Sequence, residues 1–85
     1  MAKYQLKIKK SAEKELANLP HETIVLIKNL VLKLSDNPFP PGYKKLKGFK
    51  DFYRIRSGSY RIIYSVQHNE LFIEVLKIAH RKDAY

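Results

Sequence analysis

The 85 residues include no cysteine, which excludes a disulfide framework, a thiolate metal site and a cysteine nucleophile. The absence suits a reducing compartment, so a cytoplasmic location is expected. No apolar stretch has the length of a signal-peptide core, because the chain opens Met-Ala-Lys-Tyr-Gln-Leu-Lys-Ile-Lys-Lys. The richest apolar segment, Ile24–Leu34, is interrupted by Lys28, Asn29 and Lys33 and is too polar to span a bilayer. Neither a cleaved signal nor a membrane partner is expected. Metal ligands are scarce as well: three isolated histidines without a carboxylate cluster offer no ligand spacing, so no metal and no cofactor are expected. Repeats and linkers are missing, which predicts one domain over Met1–Tyr85.

Acidic residues are few. Eight Asp and Glu stand against seventeen Lys and Arg, giving a formal net charge of +9. Solubility needs only about 2–8 charges on a small domain. The excess favours a polyanion through counterion release, with nucleic acid first among them and an acidic protein as the alternative. A chain this short buries roughly 60–65% of its unfolded surface, so its core is thin. With 45% hydrophobic residues it still builds one.

Periodicity gives the elements. Tyr4, Leu6 and Ile8 alternate with Gln5, Lys7 and Lys9, the period-two pattern of a strand with one wet face. Ser11 is placed to cap a helix running through about Asn18, with Glu13 in its first turn and Ala12, Leu16 and Leu19 on one side. After Pro20 a second helix is predicted over His21 to Ser35, with Ile24, Ile27, Leu30, Val31 and Leu34 as its buried stripe. Leu26 and Leu32 fall off the stripe, so this helix is expected to meet apolar surface on more than one side. Asp36-Asn37-Pro38 stops it. Phe39 to Lys50 reads as a loop carrying Lys44, Lys45, Lys47 and Lys50. Three strands follow, near Phe52–Arg56, Tyr60–Val66 and Leu71–Ile78, joined by turns short enough for hairpins. The predicted class is α+β: strand, helix, helix, then a three-stranded meander. One antiparallel sheet with both helices on a single face is the economical arrangement.

Strand alternation then groups the cations. Tyr53 and Ile55 share one face of their strand, while Phe52, Arg54 and Arg56 share the other. On the next strand Tyr60, Ile62, Tyr64 and Val66 oppose Arg61, Ile63 and Ser65. Arg54, Arg56 and Arg61 become neighbours on the face away from the helices. A solvated outer face would account for polar residues there, but such a face normally mixes charge signs. Like charges this close repel, which favours a polyanion as their counterpart.

These residues resemble a family. Leu46-Lys47-Gly48, Tyr53-Arg54-Ile55-Arg56, Gly58-Ser59-Tyr60-Arg61-Ile62-Ile63-Tyr64 and Ile78-Ala79-His80-Arg81 with Tyr85 at the end look like the RelE/ParE superfamily of bacterial toxins. The likeness runs over essentially the whole chain and is closer to the RelE-type messenger RNA interferases. It implies a RelE-like fold and the toxin of a type II toxin–antitoxin system. The implied activity is cleavage of mRNA in the ribosomal decoding site, silenced by a cognate acidic, RelB-like antitoxin. The related ParE branch poisons DNA gyrase, and a non-catalytic RNA- or ribosome-binding module is a third reading.

Carried over residue by residue, the resemblance implies a catalytic set of Arg54, Arg56, Arg61, Arg81 and Tyr85. The first two positions are commonly lysine in such toxins and are arginine here. Arginine is a fixed cation with a bidentate fork, suited to phosphate and poor as a base. The base role therefore moves to Tyr85, whose phenolate neighbouring arginines favour. His80 is a second acid–base candidate, and equally a residue that positions the end of the last strand. Lys44, Lys45, Lys47 and Lys50 read either as RNA-phosphate contacts or as a solvated loop. Phe52, on the arginine face, is the candidate for stacking on a base.

Overall fold

The computed structural model describes residues 4–48 and 51–80. Its elements are β1 (Gln5–Ile8), α1 (Lys10–Ala17), α2 (His21–Leu34), β2 (Lys44–Lys45), β3 (Phe52–Ser57), β4 (Tyr60–Gln67) and β5 (Phe72–His80). The five strands form one sheet in the order β1-β5-β4-β3-β2. The meander β3–β4–β5 is antiparallel, as its short turns require. Both helices cover one face, so the α+β class and the layering of helices on a single face hold.

Two strand pairings differ from expectation. The sheet is mixed, because β1 pairs with β5 in parallel, Gln5 opposite Phe72 and Ile8 opposite Val75. A strand whose partner returns only after the chain has crossed the helices is free to run in the same direction, whereas a hairpin is not. The loop over Phe39 to Lys50 contains the two-residue strand β2, with Lys44 opposite Arg54 and Lys45 opposite Tyr53.

Helix α1 starts one residue before Ser11, so the serine lies inside its first turn and Lys9 holds the cap position without a side-chain bond. The cause lies in the strand before it. The Lys9 N–H is still bonded to the Val75 carbonyl, and the Lys9 carbonyl already accepts from Glu13, so the chain passes directly from sheet to helix. Helix α2 ends as Asp36 and Asn37 both donate to the Lys33 carbonyl, and Asn37 Oδ1 accepts from the Phe39 N–H ahead of the following turn.

Ala12, Leu16, Ile27, Val31 and Leu34 pack on Tyr53, Ile55, Ile62, Tyr64, Val66, Ile73, Val75 and Ile78 to form the core. Within the chain α2 buries one stripe only: Leu26 and Leu32 remain 61% and 60% exposed, and the expected second apolar contact is not made. Among the described residues no helix is long and apolar enough to cross a membrane.

Tyr64 ties the core to the loop after α2. Its buried hydroxyl donates to the Pro38 carbonyl at 2.6 Å. Tyr64→Phe leaves that carbonyl without its donor and is expected to destabilise the fold by about 1–3 kcal/mol, read from denaturant midpoints. Burial holds the Tyr64 phenol well above its usual value of 10.0. The unfolded chain then releases this proton at lower pH than the folded one. Stability should be complete below pH ~10 and fall as pH rises beyond it, with a smaller alkaline loss in Tyr64→Phe.

Candidate nucleic-acid interface

The face of the sheet opposite the helices is organised by strand register. Arg56 and Arg61 are directly opposed across β3 and β4, and Arg54 is opposite Ile63, one step along. Opposed pairs hold their Cβ atoms about 4.5–5.5 Å apart and diagonal ones roughly 7–8 Å, so the three guanidinium groups lie within reach of a single phosphodiester. Lys44 extends the row outward through its pairing with Arg54. Arg56 is exposed, whereas Arg54 and Arg61 are half-buried, and Nε of Arg61 is shielded from solvent.

Two shallow concavities meet on this side. One is lined by Lys44, Lys45, Leu46, Lys47, Arg54 and Arg61, the other by Pro41, Gly42, Lys44, Arg54, Ile55 and Arg56. No carboxylate lines either. At the far end of the same face Phe52, Ser65, Glu74 and Lys7 are paired in a row across four strands. The face is thus polarised, with cations gathered at the β2 side and mixed charge at the β1 side. Phe52 stands two residues from Arg54 on this face and is half-buried.

A β-bulge decides what the last strand contributes. Ile63 pairs with Lys77 but Tyr64 with Val75, so Leu76 is an extra residue in β5. The insertion reverses the alternation, placing Ile78 in the core and Ala79 directly opposite Arg61 on the open face. His80 falls on the helix side, opposite Tyr60, and the two rings meet edge to face at 5.5 Å. The acid–base role considered for His80 is thereby disfavoured, and its contact is with a core-side aromatic.

The basic loop is fastened from below by rings. Phe39 lies 5.0 Å from Tyr53, 5.1 Å from Tyr43 and 5.5 Å from His68 between ring centroids. His68 Nδ1 lies 3.3 Å from the Tyr4 hydroxyl. Burial, then the Asp51 carboxylate, raises the Tyr53 phenol above its usual range and keeps it neutral. This cluster was not legible as a unit, because its members come from four separate stretches of sequence.

Of the expected site residues, the structure brings together Arg54, Arg56, Arg61, Lys44, Lys45 and Lys47, with Phe52 beside them. Lys50, Arg81 and Tyr85 lie outside the described residues. Among the described residues no group of three or more His, Cys, Asp or Glu is placed to hold a metal ion.

Comparison with known proteins fits this layout. The family model described as the ParE toxin of the type II toxin–antitoxin system parDE matches residues 6–85. The RelE–RelB complex from Pyrococcus horikoshii OT3 contains a chain that superposes with a TM-score of 0.85 at 35% identity, covering 99% of this chain and 100% of that one. A Methanocaldococcus jannaschii protein, provisionally named toxin RelE1, is 35% identical over 86 residues, covering 98% of this chain and 96% of its own length. The intact RelBE toxin–antitoxin complex of Escherichia coli gives a TM-score of 0.78 at 26% identity, covering 91% of this chain and 95% of that chain. The chain therefore belongs to the RelE/ParE superfamily, as a RelE-type toxin of a type II toxin–antitoxin system.

Proposed function

We propose that this toxin is an endoribonuclease that cuts mRNA on the ribosome without a metal ion. The observation that carries the reading is the placement of Arg56 opposite Arg61, with Arg54 and Lys44 alongside, at concavities whose lining holds no carboxylate. Such a set suits a phosphodiester whose charge increases during reaction. The substrate's 2′-OH attacks the adjacent phosphorus and forms the O2′–P bond. Tyr85 takes the 2′ proton. The phosphorane's extra charge is held by Arg54, Arg56, Arg61 and Arg81. The P–O5′ bond breaks, the departing O5′ takes a proton from water, and the products are a 2′,3′-cyclic phosphate and a 5′-OH. Lys44, Lys45, Lys47 and Lys50 hold ribosomal RNA phosphates, which position without specifying sequence. Phe52 stacks on a base.

An acidic, RelB-like antitoxin is the partner this reading requires, and the E. coli and P. horikoshii relatives were each solved with RelB. Val25, Leu26 and Leu32 are exposed on α2 with Lys28 and Lys33 among them, a surface suited to an amphipathic acidic segment.

The ParE description of the family model favours gyrase inhibition as a second reading. Purified toxin incubated with programmed ribosomes, and separately with gyrase and relaxed plasmid, distinguishes the two. Cut mRNA with normal supercoiling is expected. Blocked supercoiling with intact mRNA would transfer the chain to the gyrase-directed class.

A further inference from the structure

We propose that Glu15 is a positioning residue for RNA cleavage, acting through the end of β5; the inference rests on the endonuclease reading. β5 is nine residues long and β1 only four, and β1 covers its edge no further than Val75. The edge beyond Val75 is taken over by a side chain. Glu15 Oε1 accepts the backbone N–H of Ile78 at 3.0 Å, and Oε2 pairs with Lys77 Nζ at 3.1 Å.

A carboxylate this near the C-terminal end of α1 opposes the helix dipole, so its location needs another reason. Its ion pair is a weak one, since both side chains are partly open to water. What it does is local. The bulge at Leu76 interrupts the pairing of β5 with β4 at the point where β1 ceases to cover the other edge, so the outer half of β5 is paired on one side only. Glu15 grips that half at Ile78, immediately before Ala79, which lies against Arg61. Ile78 is also three residues from Arg81 in the chain. Glu15 therefore sets where the strand that borders Arg61 lies relative to the arginine pair. Its own carboxylate touches no substrate.

The test compares Glu15→Ala with Glu15→Gln in single-turnover cleavage on programmed ribosomes. Alanine removes the acceptor for the Ile78 N–H; glutamine keeps it and removes the charge. Glu15→Ala is expected to lower the cleavage rate at saturating toxin about 10–100-fold, with the half-saturating concentration changed less than about threefold. Glu15→Gln should recover most of that rate. Amide exchange at Ile78 should accelerate in the alanine variant and not in the glutamine one. The inference is overturned if wild type cleaves and Glu15→Ala cleaves equally well. Equal impairment of both variants, or a defect confined to half-saturation, overturns it too. No cleavage by wild-type toxin overturns the endonuclease reading itself, and this inference with it.

Discussion

Replacing Arg61 with alanine is expected to slow cleavage of ribosome-bound mRNA by about 10²-fold or more while leaving the fold in place. Arg61 is on β4, the middle strand of the five, with Arg56 on one side and Ala79 on the other. The alanine leaves room for substrate over the guanidinium on the β5 side. Half-burial of the Arg61 stem fixes the fork before substrate arrives, so little reorganisation accompanies reaction. Arg56, exposed and less constrained, should give a smaller loss when replaced. Arg61→Lys keeps a charge and loses the bidentate fork, and should fall between wild type and alanine. Loss of the Arg61 stem removes some packing, while relief of repulsion from Arg56 offsets it, so thermal melting should shift by only a few degrees. Near wild-type cleavage by Arg61→Ala would remove the arginine pair from the chemistry.

Tyr85→Phe is the second large expected effect, a loss of about 10²-fold or more, within the range assigned to general acid–base catalysis. The substitution keeps the ring and deletes only the group proposed to receive the 2′ proton. Arginine at positions 54 and 56, where related toxins commonly carry lysine, is a fixed cation and cannot serve as the base at those two positions. His80 is on the helix side, ring to ring with Tyr60 and away from the arginine face. Ribosome affinity should be unchanged in Tyr85→Phe, measured by co-sedimentation. His80→Gln should affect melting temperature more than rate. The reverse ordering would transfer the base role to His80.

The arginine face was legible in the sequence because it follows from alternation within two strands joined by a tight turn. Ser57-Gly58-Ser59 fixes the register of β3 against β4, Gly58 sits at φ 59 as the turn requires, and the opposition of Arg56 to Arg61 results. The buried stripe of α2 was legible for the same kind of reason, a helical period unbroken from Ile24 to Leu34. What escaped was non-local. Nothing in Gln5–Ile8 states which strand it joins or in which direction, so the parallel pairing with β5 could not be read. Lys44 and Lys45 have low strand propensity and are held extended by pairing with β3. The bulge left one trace, the adjacent apolar residues Val75 and Leu76 that break alternation, but two apolar neighbours also fit a strand buried on both faces. The orientation of His80 and Ala79 depends on that bulge, so their faces were hidden with it. Glu15 offered a different trace, a carboxylate at the wrong end of its helix, intelligible only once Ile78 lies beside it.

The central claim is that the arginine face drives attack by the message's own 2′-OH. Two programmed ribosome complexes test it, differing only in a single 2′-deoxy nucleotide placed on the 5′ side of the cut. The all-RNA message should be cleaved, leaving a 2′,3′-cyclic phosphate and a 5′-OH, and the 2′-deoxy message should remain intact at equal toxin occupancy. Cleavage of both messages at the same rate would contradict the account, because the nucleophile would then come from elsewhere.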